Sequence, residues 1–128
     1  MRKRRHPSYF GASLFKVLFH PLFIFQDIDQ SCVRENCAIL QERRAILVSG
    51  LKKLGYDVEP PKATFYVWLT VPPDFTSMTF TTHLLEKAGI VTIPGNGLGT
   101  PGEGYVRLAL TVPKERLKEA LARLAKLG

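Results

Sequence analysis

Among 128 residues, few are of types that could do chemistry, and Arg107 is the clearest. It sits inside Tyr105 to Thr111, a β-branched and aromatic run that reads as a strand. A planar guanidinium on a strand offers a two-pronged grip to a carboxylate, whereas a lysine offers only a point charge. From the strand pattern alone, an exposed strand arginine is the plainer reading. Upstream lies Gly95-Asn-Gly-Leu-Gly99, a glycine string that could suggest a phosphate cradle. A dinucleotide fingerprint opens a helix after a strand. This one leads through Pro101 into the Tyr105 strand, so it is read as a loop in which glycines permit close backbone approach. Cys32 and Cys37 are the two cysteines; no Cys-x-x-Cys or histidine set accompanies them, so they read as reduced thiols rather than metal ligands. Phe65 and Tyr66 read as core and sheet residues, not as ligands or catalytic groups.

The elements that must position these residues follow from periodicity. Val33, Cys37, Leu40, Arg44, Leu47, Leu51 and Leu54 recur at helical steps, with Gly55 placed to end the helix. Tyr56 to Glu59 reads as a short strand stopped by Pro60-Pro61, and Thr64 to Val71 as a strong one closed by Pro72-Pro73. Phe80, Leu84, Leu85 and Ala88 mark a second helix ending at Gly89, followed by a short buried strand over Ile90 to Ile93. After the Tyr105 strand, Pro113 suits a first helical position, and Leu117, Ala120, Leu121, Leu124 and Leu127 form a last amphipathic helix. The order α-β-β-α-β-β-α predicts an α/β (α+β) sandwich, with helices on one face of a small mixed or antiparallel sheet.

Composition bounds the rest. A chain of this length makes one domain and buries roughly two thirds of its unfolded surface. The net charge is +7, but its only dense block is Arg2-Lys3-Arg4-Arg5, and no stripe of cations with interleaved aromatics points to nucleic acid. Residues 1–30 differ in character: five of the eight phenylalanines lie there behind the basic tetrad. Lys16, His20 and Pro21 interrupt the apolar run, which falls short of the ~20 residues needed to span a bilayer. A targeting or membrane-surface role for that segment stays open, and it is set apart from a domain over 31–128.

Four stretches then come in a telling order: Leu51-Lys-Lys-Leu-Gly-Tyr56, Pro61-Lys-Ala-Thr-Phe-Tyr-Val-Trp68, Leu84-Leu-Glu-Lys-Ala-Gly-Ile-Val-Thr-Ile-Pro-Gly95 and Gly104-Tyr-Val-Arg-Leu-Ala-Leu110. Together they resemble the C-terminal small domain of class I/II (fold-type I) aminotransferases that use pyridoxal phosphate, in the branch of the LL-diaminopimelate aminotransferases. The resemblance covers about 31–128; residues 1–30 carry no such motif. It implies that Arg107 grips the α-carboxylate of an amino-acid or 2-oxo-acid substrate, and that the intact family is homodimeric and cytoplasmic. It also implies a lysine in a Ser-x-Ser-Lys segment with Gly-x-Arg beyond it, and these motifs are not found. Lys16, in Ser13-Leu-Phe-Lys16, is a faint echo without the Gly-x-Arg and is rejected as that lysine. The expectations are therefore a fragment without tight cofactor binding or turnover, self-associating through faces left bare. The alternatives are a non-catalytic α/β small-molecule-binding or interaction module, and a protein driven to membrane surfaces by residues 1–30.

Overall fold

The computed structural model describes residues 31–127. The chain divides into two compact units, Met1–Arg34 and Glu35–Gly128, and the fold below is that of the second. The expectations for residues 1–30, Lys16 among them, fall outside the described residues.

Helix α1 (Ser31–Lys53) ends where the glycine signal places it. Gly55 takes φ 83°, its N–H reaching the Lys52 carbonyl and that of Tyr56 the Leu51 carbonyl. The left-handed turn is open to glycine at no steric cost. The apolar stripe is covered only in its later part: Leu47, Val48 and Leu51 are buried, while Val33 and Cys37 are exposed. Arg44, read as part of the stripe, instead donates from Nη1 to the Pro61 carbonyl at 2.7 Å, and Arg43 reaches the Leu110 carbonyl at 3.1 Å. Both arginines tie α1 to the chain beside the sheet through otherwise free carbonyls.

Strand β1 (Tyr66–Thr70) is shorter than its β-branched run. Thr64 adopts φ 74°, and its hydroxyl accepts from the Tyr66 N–H at 3.2 Å, so it is a turn residue rather than a strand residue. The expected strand over Tyr56–Glu59 reduces to a single bridge between Val58 and Leu69. Pro60 and Pro61 follow directly and bring no N–H to extend a ladder.

Helix α2 (Ser77–Ala88) starts earlier than its apolar period, because Thr76 and Thr79 form a reciprocal capping box. Gly89, at φ 63°, closes it, and the Ile90 N–H is taken by the Leu84 carbonyl at 3.1 Å. With Ile90 consumed by the cap and Val91 81% exposed, the next strand is not the expected Ile90–Ile93 but β2 (Ile93–Pro94). Two short 3₁₀ turns, Gly95–Leu98 and Thr100–Gly102, lead into β3 (Tyr105–Ala109). Helix α3 (Lys114–Leu124) closes the order, with Pro113 at its N-cap, one place before the expected position.

The sheet is antiparallel throughout, in the order β1-β3-β2. Val67, Leu69, Val106 and Leu110 point to one face and are fully buried against Leu51, Phe80, Leu84, Leu117 and Leu124 from the three helices. Each such side chain contributes about 1.5–3 kcal/mol by leaving water. The helices thus share one sheet face, as the pattern predicts, and the other face is left uncovered within the unit. Among the described residues, no helix is long and apolar enough to cross a membrane.

Candidate functional site

Alternation along β1 and β3 sends Tyr66, Trp68 and Thr70, and Tyr105 and Arg107, to the uncovered face. Register decides who meets whom there. Trp68 stands directly opposite Arg107, and Ile93 of β2 flanks it on the other side. The Arg107 guanidinium carbon lies 4.0 Å from the centre of the Tyr66 ring, a cation–π contact across the diagonal of the pair. At an exposed site such a contact is worth about 0.5–1 kcal/mol and holds a flexible side chain in one orientation. Among the described residues no carboxylate forms an ion pair with Arg107, so its donors remain available. Tyr66, expected to be a plain sheet residue, is therefore also the support of Arg107; the contact depends on register between strands far apart in sequence.

A second diagonal pair lies beside the first. Trp68 and Tyr105 meet edge to face, with ring centroids 6.4 Å apart and planes at 90°. Together with Gly95, Leu98, Pro101 and Gly102 they line an open hollow of about 380 Å³. The glycine-rich loop thus forms one wall of the site, and it runs into β3, not into a helix.

What holds that loop in place is Ser77, the first residue of α2, which is fully buried. Its Oγ accepts the N–H groups of Gly104 at 2.9 Å and Tyr105 at 3.2 Å. Its own N–H donates to Glu103 Oε1 at 2.9 Å. The Glu103 carboxylate so placed at a helix N-terminus has its pKa lowered, first by the Ser77 N–H, with Gly104, the Ser77 hydroxyl and Asn96 adding to the same direction. Neither residue was singled out by sequence reading, since a contact across 26 positions leaves no periodic trace.

The sign of that shift sets a pH dependence. A carboxylate whose folded pKa is lowered stabilises the fold above its unfolded pKa, and that contribution disappears as pH falls through the lowered value. Glu103→Gln should therefore be less stable than the parent at neutral pH, with the difference closing in acid. Denaturant midpoints of the two proteins measured from neutral to acidic pH check this; a difference independent of pH would count against the contact.

The chain matches the family "Aminotransferase class I and II" over residues 1–124. It belongs to that family. It is 54% identical over 100 residues to the LL-diaminopimelate aminotransferase of Syntrophobacter fumaroxidans, covering 78% of this chain and 26% of that protein. It is 46% identical over 117 residues to LL-diaminopimelate aminotransferase 2 of Trichormus variabilis, covering 91% and 30%. Among solved structures, substrate-bound BacF from Bacillus subtilis superposes with a TM-score of 0.76 at 36% identity, covering 79% of this chain and 26% of that one. The chain thus spans between a quarter and a third of the length of these relatives. The family match begins at residue 1, ahead of the four motifs, which lie between 51 and 110.

Proposed function

We propose that residues 31–128 serve as the C-terminal small domain of a cytoplasmic amino-acid aminotransferase related to the diaminopimelate enzymes, and that Arg107 holds the substrate's α-carboxylate. The observation that carries this is the state of Arg107: on an uncovered face, stacked on Tyr66, with no carboxylate partner among the described residues. A guanidinium fixed by an aromatic ring presents its fork ready-made, so less rotamer freedom is lost when a carboxylate docks. The exposed apolar side chains around it, Trp68, Ile93, Leu98 and Tyr105, make the same face the place where a second copy or a further domain would associate.

Aminotransferases of this family use pyridoxal phosphate, whose chemistry requires a lysine for the imine and an acid for the pyridinium nitrogen. The walls of the hollow beside Arg107 offer neither: they are Trp68, Gly95, Leu98, Pro101, Gly102 and Tyr105. The described residues of this face do not fit the cofactor, and the role assigned to them is confined to binding and orienting the carboxylate.

The test is a direct one. Purified chain is mixed with pyridoxal phosphate, reduced with borohydride, and weighed intact, and turnover is assayed with glutamate as donor. No stoichiometric adduct and no turnover above blank are expected. A single adduct mapped to one lysine, or clear turnover, would overturn the small-domain reading in favour of an autonomous enzyme.

A further inference from the structure

The glycine-rich loop carries a reactive pair of its own. The protein has two asparagines, Asn36 and Asn96, and Asn96-Gly97 is its only Asn-Gly or Asp-Gly step. An asparagine side chain can be attacked by the backbone nitrogen that follows it, which closes a cyclic imide. Closure needs room around that nitrogen and a backbone free to turn it onto Cγ. At Gly97 no Cβ shields the nitrogen, and a Cβ built there would meet only Pro94 Cγ, at 3.9 Å. Residues 96–100 are all exposed, so water and base reach the step. Asn96 lies in the 3₁₀ turn Gly95–Leu98, and such short turns are weakly hydrogen-bonded. Its carbonyl is held by the Gly99 N–H at 3.2 Å, the long end of the normal range. Glycines at 97 and 99 let the chain between them turn at little cost. Asn36 is the opposite case: it lies inside α1, where the helix fixes its backbone, and Cys37 follows it.

We propose that Asn96 is a deamidation site, and that its conversion opens the clasp between the loop and α2. The Gly97 nitrogen bonds to Asn96 Cγ and gives its proton to solvent base, and the side-chain nitrogen leaves as ammonia. Water then adds to the imide. Cleavage of the new N–Cγ bond gives an aspartate at position 96. Cleavage of the bond to the main-chain carbonyl gives an isoaspartate there, with the chain running through Cγ. Water is the only co-reactant. In the native loop the Asn96 side chain hydrogen-bonds the Glu103 carboxylate, which also takes the Ser77 N–H at 2.9 Å. Either product puts a carboxylate where that amide was. Glu103 loses a donor and gains a like charge, and both changes are unfavourable. The isoaspartate also lengthens a main chain in which Gly95 and Gly102 pack carbonyl to Cα. The change runs one way, so the loop carries a timer and not a reversible switch.

The full chain is held in mildly alkaline buffer at physiological temperature, sampled over days, and digested with trypsin. Peptide 88–107 should gain the mass difference between NH2 and OH, with isoaspartate among the products, while peptide 35–43 should not. Gly97→Ala, whose methyl finds open space, should slow the gain about fivefold or more, the weight of about 1 kcal/mol on the barrier. Asn96→Asp, which reproduces one product, should lower the thermal midpoint by a few degrees at neutral pH. That difference should close as pH falls and the two carboxylates take up protons. In the same variant the Gly104 and Tyr105 amides should lose hydrogen-exchange protection beyond the global amount. No mass gain in peptide 88–107, under conditions that convert it in the urea-unfolded chain, would overturn the site. An equal rate in Gly97→Ala would do so too. No extra loss of protection at Gly104 and Tyr105 in Asn96→Asp would overturn the opening of the clasp.

Discussion

Gly102→Ala is expected to destabilise the fold by about 3 kcal/mol, at the upper end of what overpacking costs. The cause is contact between two stretches of backbone. A Cβ at Gly102 would meet the carbonyl oxygen and, at 2.5 Å, the carbonyl carbon of Gly95. A Cβ at Gly95 would in turn meet the Gly102 carbonyl oxygen and, at 2.8 Å, that of Tyr105. A flexible side-chain tip could swing away; two 3₁₀ turns packed carbonyl to Cα cannot do so without parting. Parting them would pull the loop away from β3, where Tyr105 and Arg107 begin their pairing with β1. For a unit of this size the thermal midpoint should fall by roughly 10–20 °C. Gly97→Ala is the internal control, because its new methyl would meet only Pro94 Cγ at 3.9 Å, an ordinary contact. That variant should stay within about 0.5 kcal/mol of the parent, as surface changes do. Equal midpoints for the two variants would show that the turns are not held in contact.

Local conformation is written in the sequence, whereas contacts between distant turns are not. The glycines of the loop announce a break in regular structure, and Gly55 and Gly89 mark helix ends correctly, because those effects are local. That Gly95 and Gly102 touch is a fact about two turns seven residues apart, and no period encodes it. The two outer strands suffered from the same limit. Tyr56–Glu59 and Ile90–Ile93 have strand composition, but one runs into Pro60-Pro61 and the other loses Ile90 to the helix cap. Neighbouring chain, rather than propensity, set their lengths. Thr64 is β-branched and so suggests a strand, yet its hydroxyl serves the Tyr66 N–H and bends the chain there. Arg107 stands out in the sequence because a motif surrounds it. Its partner Tyr66 was visible in the sequence only as a residue of a strand, since register brings the two together. The helix faces fared best: Leu47, Leu51, Phe80, Leu84, Leu117 and Leu124 all sit in the core where the 3.6-residue period puts them. Leu85, assigned to the same period, is half exposed, because the stripe on α2 is narrower than the run of apolar residues.

Ser77→Ala tests the other half of the loop's support, with an expected loss of about 2–3 kcal/mol. The hydroxyl is a small feature with several partners. Its Oγ accepts from the Gly104 and Tyr105 N–H groups and lies 3.4 Å from the Gly102 carbonyl, a long contact. Alanine removes about one atom and leaves almost no cavity, so a loss of that size cannot come from packing. It comes from donors deprived of an acceptor at a part-buried place: the Gly104 and Tyr105 N–H groups both lose the Ser77 hydroxyl, and Gly104 N–H keeps the Glu103 carboxylate. A donor that loses its acceptor away from open water costs more than the bond itself is worth. Amide hydrogen exchange separates this cause from a general loosening. Protection at Gly104 and Tyr105 should fall well beyond the global loss, while Val67, Leu69 and Val106, at the centre of the sheet, should fall only by the global amount. Combining Ser77→Ala with Glu103→Gln should cost less than the two changes added, because both act on one clasp between α2 and the loop. Strict additivity, with uniform loss of protection across the sheet, would mean that Ser77 is a core residue like its neighbours and that the loop wall beside Arg107 is held by β3 alone.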